Sequence, residues 1–135
     1  MSSNVKYNKS SGLIEIVYSG KLTESMLRET VRKRIAIQNE TGAVGVLADA
    51  SRVEVAPEIF ALFDLPSRFF SEENADRRTL IAMVLPDAQE LKEKGMFLET
   101  ASRNRGWVMQ NFEDRQSAIA WLREHTTFNK ANDSD

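Results

Sequence analysis

The sequence predicts a single α/β domain with a mixed, mostly parallel sheet, an N-terminal hairpin and about four helices. Two observations lead to this prediction. Apolar runs at 43–48 and 79–85 do not alternate with polar residues, which is typical of strands buried on both faces. Amphipathic segments with helical spacing separate these runs, and strands that alternate with helices pair in parallel through right-handed crossovers.

Length and composition restrict the classes of function. The chain of 135 residues fits one domain, which we expect to span residues 1–125, with 126–135 a polar, flexible tail. It contains no Cys and one His, which excludes thiolate sites. A net charge of −2 does not favour nucleic acid as a partner. No apolar run approaches the roughly 18 residues of a membrane span and no secretory signal is visible, so we expect a cytoplasmic protein.

The first third of the chain predicts a hairpin followed by a helix. Strands at 5–7 and 13–18 flank Gly12, which suits the turn of a hairpin. Thr23 is a good N-cap for a helix over 24–39. Its inner and outer faces are predicted from four-residue spacing; the inner residues are Leu27, Val31 and Ile35, and the outer ones Arg28, Arg32, Lys33 and Arg34. Because Glu24 and Glu29 precede Arg28 and Lys33 by four residues, we expect a solvated, self-paired outer face.

The stretch 43–55 carries the candidate site. The predicted strand ends at Asp49, a polar loop follows, and Pro57 suits the first turn of a helix. Open α/β sheets usually bind ligands beyond the carboxyl ends of their strands, which makes Asp49, Ser51, Arg52 and Glu54 candidate binding residues. The alternative is an ordinary turn, in which Asp49 and Ser51 bond nearby backbone N–H groups.

A Phe-rich segment follows. The predicted helix over 57–65 is broken or kinked at Pro66, and aromatic residues lie on both sides of the break, namely Phe60, Phe63, Phe69 and Phe70. They indicate a partner surface or an apolar-ligand pocket; the alternative is core packing. Since one inward stripe cannot easily hold all four, we expect partial exposure and a homodimer contact through this region.

The C-terminal half alternates strand and helix. After the strand at 79–85, a helix is predicted from 86–87 to about 104, with a capping box between Asp87 and Glu90 and close approach of a neighbour at Gly95. A strand at 107–112 precedes a last helix capped by Asp114.

No pattern in the sequence specifies a reaction. GxGxxG, Walker and GxSxG motifs are absent, the acids at 72–76 indicate a solvated loop, and Glu99 is expected to pair with Arg103. We therefore predict no catalytic residue, no metal site and no cofactor. The enzyme alternative requires Asp49, Ser51, Arg52 and His125 to converge in space.

Three segments carry a family resemblance: VLADASRV at 46–53, RTLIAMVLP at 78–86 and FEDRQSAIAWLRE at 112–124. They resemble the STAS domain, the SpoIIAA-like fold of anti-sigma-factor antagonists, and within it the bacterial group described as STAS/SEC14-like. The resemblance implies a regulatory or binding module that contacts a protein partner or a small ligand. A SEC14-like carrier or sensor of an apolar ligand or lipid is the alternative.

The chain departs from the family at its switch motif. Phosphorylatable antagonists carry an Asp-Ser-Ser-Gly type motif at the start of the helix after the central strand. Here Asp49-Ala50-Ser51 lies at the strand exit and VAPE fills 55–58. No phosphorylation is therefore carried over to Ser51.

Overall fold

The computed structural model describes residues 2–54, Glu73, residues 78–104 and residues 106–134. Over this part of the chain, five strands form one sheet in chain order. The strands are β1 (Ser2–Asn8), β2 (Leu13–Gly20), β3 (Gly45–Val53), β4 (Leu80–Val84) and β5 (Val108–Phe112). The helices are α1 (Glu24–Thr41), α2 (Gln89–Asn104) and α3 (Arg115–Ser134).

The sheet is mixed, as the sequence predicts. Strands β1 and β2 form the antiparallel hairpin, with Val5 opposite Ile16. Gly12 closes its turn at φ 73°, a conformation that favours glycine, and its N–H donates to the Asn8 carbonyl at 2.8 Å. The pairs β2–β3, β3–β4 and β4–β5 are all parallel.

The sheet is covered on both faces, which explains the continuous apolar runs. One face, here the α1 face, packs Ile14, Ile16, Val46, Ala48 and Ile81 against α1 and α2. The opposite face, here the α3 face, packs Leu13, Leu47, Ala82 and Val84 against Ala118 and Leu122 of α3.

Helix α1 begins where the sequence predicts. The Thr23 hydroxyl accepts the Met26 N–H at 3.1 Å, and Gly42 at φ 75° ends the helix by donating to the Gln38 carbonyl. The predicted Glu29–Lys33 pair is present at 3.1 Å.

The placement of Arg34 on the outer face of α1 was wrong. Arg34 is 2% exposed, because the row Thr30, Arg34 and Gln38 also faces inward. The remaining arginines of the predicted outer face, Arg28 and Arg32, lie 3.6 Å and 3.1 Å from Glu73 Oε1.

Three further boundaries differ from the prediction. Strand β3 continues past Asp49 to Val53. Helix α2 begins at Gln89, and among the described residues Asp87 contacts Lys92 at 3.2 Å instead of capping with Glu90. Helix α3 continues through most of the predicted tail, as far as Ser134. The flexibility of that tail stays a prediction.

The helix count also differs from the prediction of about four. The described residues contain three helices. The helix predicted over 57–65 lies outside the described residues, so that prediction stays open.

Candidate functional site

The site begins at an irregularity in β3. Val17 of β2 pairs with Asp49, whereas Ser19 pairs with Arg52, so Ala50 and Ser51 together face Tyr18. An extra residue of this kind is a β-bulge, which bends a strand and re-aims its side chains. Asp49 stabilises the bulge, since its Oδ1 accepts the Ser51 N–H at 3.0 Å and the Ser51 hydroxyl at 2.6 Å. Asp49 thus accepts a nearby backbone N–H, as the alternative of an ordinary turn predicts, but it does so inside the strand. Ser51 differs from that alternative, because its hydroxyl donates to the Asp49 carboxylate.

A guanidinium from the last helix completes this arrangement. Arg115 Nη1 donates to Asp49 Oδ2 at 3.0 Å, and its Nη2 donates to Glu15 Oε1. Glu15 is 7% exposed, and its second oxygen accepts from Asn8 Nδ2 at 2.7 Å. We name this group the Arg115 cluster; it consists of Asn8, Glu15, Asp49, Ser51 and Arg115.

The fold brings the cluster together on the α3 face. Glu15 and Asp49 project to that face from adjacent parallel strands, because each lies at the same parity as the buried residues Leu13 and Leu47. Arg115 reaches them from the first turn of α3. One cation thus bridges two carboxylates, each of which has a further hydrogen-bond donor.

Sequence reasoning missed Glu15 and Arg115. A signal was present for each of them. Glu15 is the one acidic residue within the run LIEIVY of β2, where a buried carboxylate needs a partner. Arg115 opens a helix, where the dipole disfavours positive charge, so an arginine there is expected to have an acidic partner nearby.

The cluster holds Asp49 in its ionised form. Burial alone would raise the pKa of Asp49, but hydrogen bonds from the Ser51 hydroxyl and amide and from Arg115 outweigh it. The pKa therefore lies below the ordinary value of 3.8. A carboxylate of lowered pKa is a weak proton acceptor at neutral pH.

The end of β3 exposes the other predicted residues. Ser51, Arg52 and Glu54 are exposed, while Val53 between them is buried. The Glu54 N–H donates to the Gly20 carbonyl at 2.7 Å, so the backbone stays tied to β2 up to this residue. These three side chains and Asp49 form one surface at the carboxyl end of β3, which we name the β3 exit.

The convergence of Ser51 with His125 does not occur. Helix α3 runs antiparallel to β3, because Arg115 contacts Asp49 whereas Leu122 and Thr126 lie against Gly45. His125 therefore lies near the amino end of β3, roughly 20 Å along the strand from Ser51. Its Nδ1 lies 2.8 Å from the Trp121 carbonyl, and its ring packs on that of Trp121.

The remaining sequence predictions concern the Phe-rich segment, metal sites and membrane spans. Phe60, Phe63, Phe69 and Phe70 lie outside the described residues, so the apolar-ligand and dimer hypotheses stay predictions. Within the described ranges, no group of three or more His, Cys, Asp and Glu side chains is placed to hold a metal ion. No helix in that part of the chain is long and apolar enough to cross a membrane.

The sheet order and the helices on both faces define a SpoIIAA-like α/β fold, as the family resemblance implies. A similar solved structure is an uncharacterized protein of the DUF3478 family from Shewanella loihica PV-4, which has a SpoIIAA-like fold. The TM-score is 0.58, and the match covers 90% of this chain and 92% of that chain. The two sequences are 14% identical, so the likeness concerns the fold alone. No protein-family model matches the chain, and no curated protein matches it.

Proposed function

We propose that the protein is a non-enzymatic regulatory module that binds a protein partner or a small ligand at the β3 exit. The observation that carries the proposal is the Arg115 cluster. It fixes the backbone of the bulge at Asp49 and Ser51, while the neighbouring side chains Arg52 and Glu54 stay exposed. A rigid end of strand that presents charged side chains is suited to recognition.

Preorganisation is the physical reason. Ordering a loop on binding consumes part of the interaction free energy, and a segment that is already fixed avoids this loss. All three bonds from Ser51 and Arg115 end on the ionised Asp49 carboxylate, and such charge-assisted hydrogen bonds are stronger than neutral ones. The β3 exit is thus held in one shape before any partner arrives.

The same bonds argue against hydrolytic chemistry at Ser51. A serine nucleophile needs a base that accepts its proton. The acceptor of the Ser51 hydroxyl is Asp49, whose pKa is below its ordinary value because Ser51 and Arg115 stabilise the carboxylate. The lowered pKa of Asp49 therefore favours a role in binding over a role in catalysis for Asp49 and Ser51.

The exposed charges of the β3 exit indicate how a partner would be recognised. Arg52 and Glu54 have opposite charges and are separated by buried Val53. A partner surface with a matching acidic and basic group would gain specificity and on-rate from these contacts. Reversing one charge should therefore weaken binding more than removing a charge elsewhere.

An affinity capture with the full chain tests the proposal. The wild type, Arg52→Glu and Arg123→Glu would each be immobilised and exposed to a lysate of the source cells, and the retained proteins identified by mass spectrometry. Arg123 is exposed on α3, so its reversal changes net charge equally and serves as the matched control. We expect a partner that the wild type and Arg123→Glu retain and Arg52→Glu loses. Equal recovery by all three folded proteins would contradict the proposal.

A further inference from the structure

A groove lies at the carboxyl ends of β4 and β5, where both strands meet the first half of α2. Its volume is about 640 Å³, within the range of small-molecule sites. It shares no residue with the Arg115 cluster. The lining residues that matter below are Leu85, Lys92, Met96, Glu99, Asn111 and Phe112.

The charge of the groove is negative. Asp87, Glu99 and Glu113 line it together with one base, Lys92. The Lys92 ammonium lies 3.2 Å from both Asp87 Oδ1 and Glu113 Oε1. This lysine is engaged with the two acids at the rim, and the predicted pair of Glu99 with Arg103 does not form. Glu99 is therefore left without a cationic partner among the described residues.

Glu99 is positioned by the edge strand of the described sheet. Its Oε1 accepts the Asn111 N–H at 2.5 Å and Asn111 Nδ2 at 3.1 Å. The same Nδ2 donates to the Gly95 carbonyl at 2.7 Å. These two bonds fix the orientation of the Asn111 side-chain amide, with its oxygen pointing away from Glu99 Oε1 and the Gly95 carbonyl.

One hydrogen-bond acceptor of the groove remains open. Among the described residues, Glu99 Oε2 has no hydrogen-bond partner. The described residues therefore supply this carboxylate oxygen with neither a hydrogen-bond donor nor a positive charge.

Apolar surface lies beside this acceptor. Leu85 is buried, while Met96 is 68% exposed on α2. Phe112 borders the groove, but its ring packs on that of Trp121 on the α3 face. An exposed methionine adapts to differently shaped apolar groups.

We propose that this groove binds a small organic amine. The ammonium group donates to Glu99, and the apolar body packs against Leu85 and Met96. The proposal is independent of the β3 exit, because the two sites share no residue. It predicts selection by charge, with a cation preferred over a neutral or anionic molecule of the same shape.

Titration of the full chain with 2-phenylethylammonium, followed by ¹H–¹⁵N correlation spectra, tests the selection. We expect saturable shifts of the amide signals of Gly95, Glu99 and Asn111. 2-Phenylethanol, which has the same body without the charge, should bind about tenfold more weakly, as expected for the loss of a charge-assisted hydrogen bond. 3-Phenylpropionate should give no saturable shift.

Two matched variants test the anchor. Glu99→Gln retains an oxygen for the Asn111 N–H and removes the charge, so it should weaken 2-phenylethylammonium about tenfold and leave 2-phenylethanol unchanged. Glu113→Gln removes the same charge from the exposed rim and should change affinity much less. Met96→Ala, at an exposed position, should weaken the amine and the alcohol alike.

The opposite results would overturn the proposal. Equal affinity for amine and alcohol would remove charge selection, and tighter binding of 3-phenylpropionate would make Lys92 the anchor. If Glu99→Gln and Glu113→Gln weakened the binding of 2-phenylethylammonium equally, the net negative charge of the groove, and not a contact with Glu99, would explain the affinity. An absence of saturable shifts with the folded wild type would exclude the site.

Discussion

Arg34 is a charged side chain kept inside the protein between α1 and the sheet. Its Nη1 donates to Gln38 Oε1 at 2.8 Å, and Gln38 Nε2 in turn donates to Thr79 Oγ1 at 2.9 Å. Burial lowers the pKa of Arg34 to about 10, and the nearby Tyr18 opposes this effect. The guanidinium is therefore still charged at neutral pH and depends on its polar surroundings.

Truncation of Arg34 should destabilise the protein strongly. Arg34→Ala removes a large buried side chain and leaves Gln38 without its donor, so we expect a loss of about 3 kcal/mol in the free energy of unfolding. Urea denaturation followed by circular dichroism measures it. Arg32→Ala is the control, because this exposed arginine pairs with Glu73 and should cost no more than about 1 kcal/mol. Equal losses would contradict the buried role of Arg34.

Asp49 should contribute stability that depends on pH. Because its folded-state pKa lies below the ordinary value of 3.8, the ionised group stabilises the fold above that value. The contribution is lost as the pH falls through the folded-state pKa. Asp49→Asn should therefore cost about 1.5 kcal/mol at neutral pH, and the difference from the wild type should shrink below pH 3.8.

Denaturant titrations of both proteins across this range check the Asp49 prediction. A difference between wild type and Asp49→Asn that stays constant down to the lowest pH would contradict it. Asp114→Asn is a useful comparison, since the pKa of Asp114 is also lowered, by bonds from the Ser117 amide and hydroxyl, outside the Arg115 cluster.

At the scale of elements, Gly45 sets the distance between β3 and α3. A methyl group at this position would lie 2.7 Å from Leu13 Cδ2 and 3.1 Å from Thr126 Cγ2. An alanine here would therefore displace the end of the Leu13 side chain on β2, and α3 would have to shift by a few tenths of an ångström at Thr126. The close approach lets Leu122 pack fully against the sheet.

Gly45→Ala should crowd Leu13 of β2 and, to a smaller extent, Thr126 of α3. The expected cost is about 2 kcal/mol, as for other overpacked cores, and thermal unfolding measures it. Gln116→Ala, at an exposed position of α3, is the control and should leave the midpoint nearly unchanged. Gly95→Ala is a less direct test, because the gain in helix propensity opposes its contact of 2.8 Å with Leu85. A Gly45→Ala protein as stable as the wild type would contradict this prediction, because it would show that Leu13 and α3 accommodate the methyl group without cost.

The elements were largely predictable because their signals are local. Thr23 and Asp114 act as N-caps as expected, and apolar runs locate the strands. The inward position of Arg34 was missed, since the row Thr30, Arg34 and Gln38 has the same four-residue spacing as the apolar row. Polar residues in such a row resemble a solvated face until their buried polar partner Thr79, directly before β4, is known.

The site was only half predictable, for a related reason. Asp49 and Ser51 are two residues apart, and local bonding between them follows from their types. Glu15 and Arg115 are 100 residues apart, so their contact depends on the antiparallel run of α3 over the sheet. No spacing in the sequence specifies that arrangement.

At the scale of the whole molecule, self-association through the Phe-rich segment stays a prediction from sequence. Replacing Phe69 and Phe70 by Ser should shift the mass in solution from dimer towards monomer, with unchanged circular dichroism, because the apolar contact is lost. Phe97→Ser is the control, since Phe97 is 65% exposed on α2 and outside the segment. Light scattering measures the mass, and a wild type that is monomeric at high concentration would contradict the prediction.

The order in which the chain is synthesised gives the Arg115 cluster a further consequence. Strands β1 to β5 join the sheet in chain order, so each new strand can add to the edge of a growing sheet as it leaves the ribosome. Glu15 and Asp49 are made early, however, and their shared cation belongs to the last helix. The two carboxylates on the α3 face therefore lack their cation until that helix has been made, although Asn8 and Ser51 can already donate to them.

We therefore expect the α3 face to close late in folding. Contacts between residues far apart in sequence form slowly, because the connecting chain loses conformational entropy before the contact contributes any stabilising free energy. Loss of a contact that forms after the transition state speeds unfolding and leaves the folding rate nearly unchanged. We expect Arg115→Ala to unfold faster than the wild type and to fold at nearly the same rate. The Arg115 cluster would then prolong the lifetime of the native state.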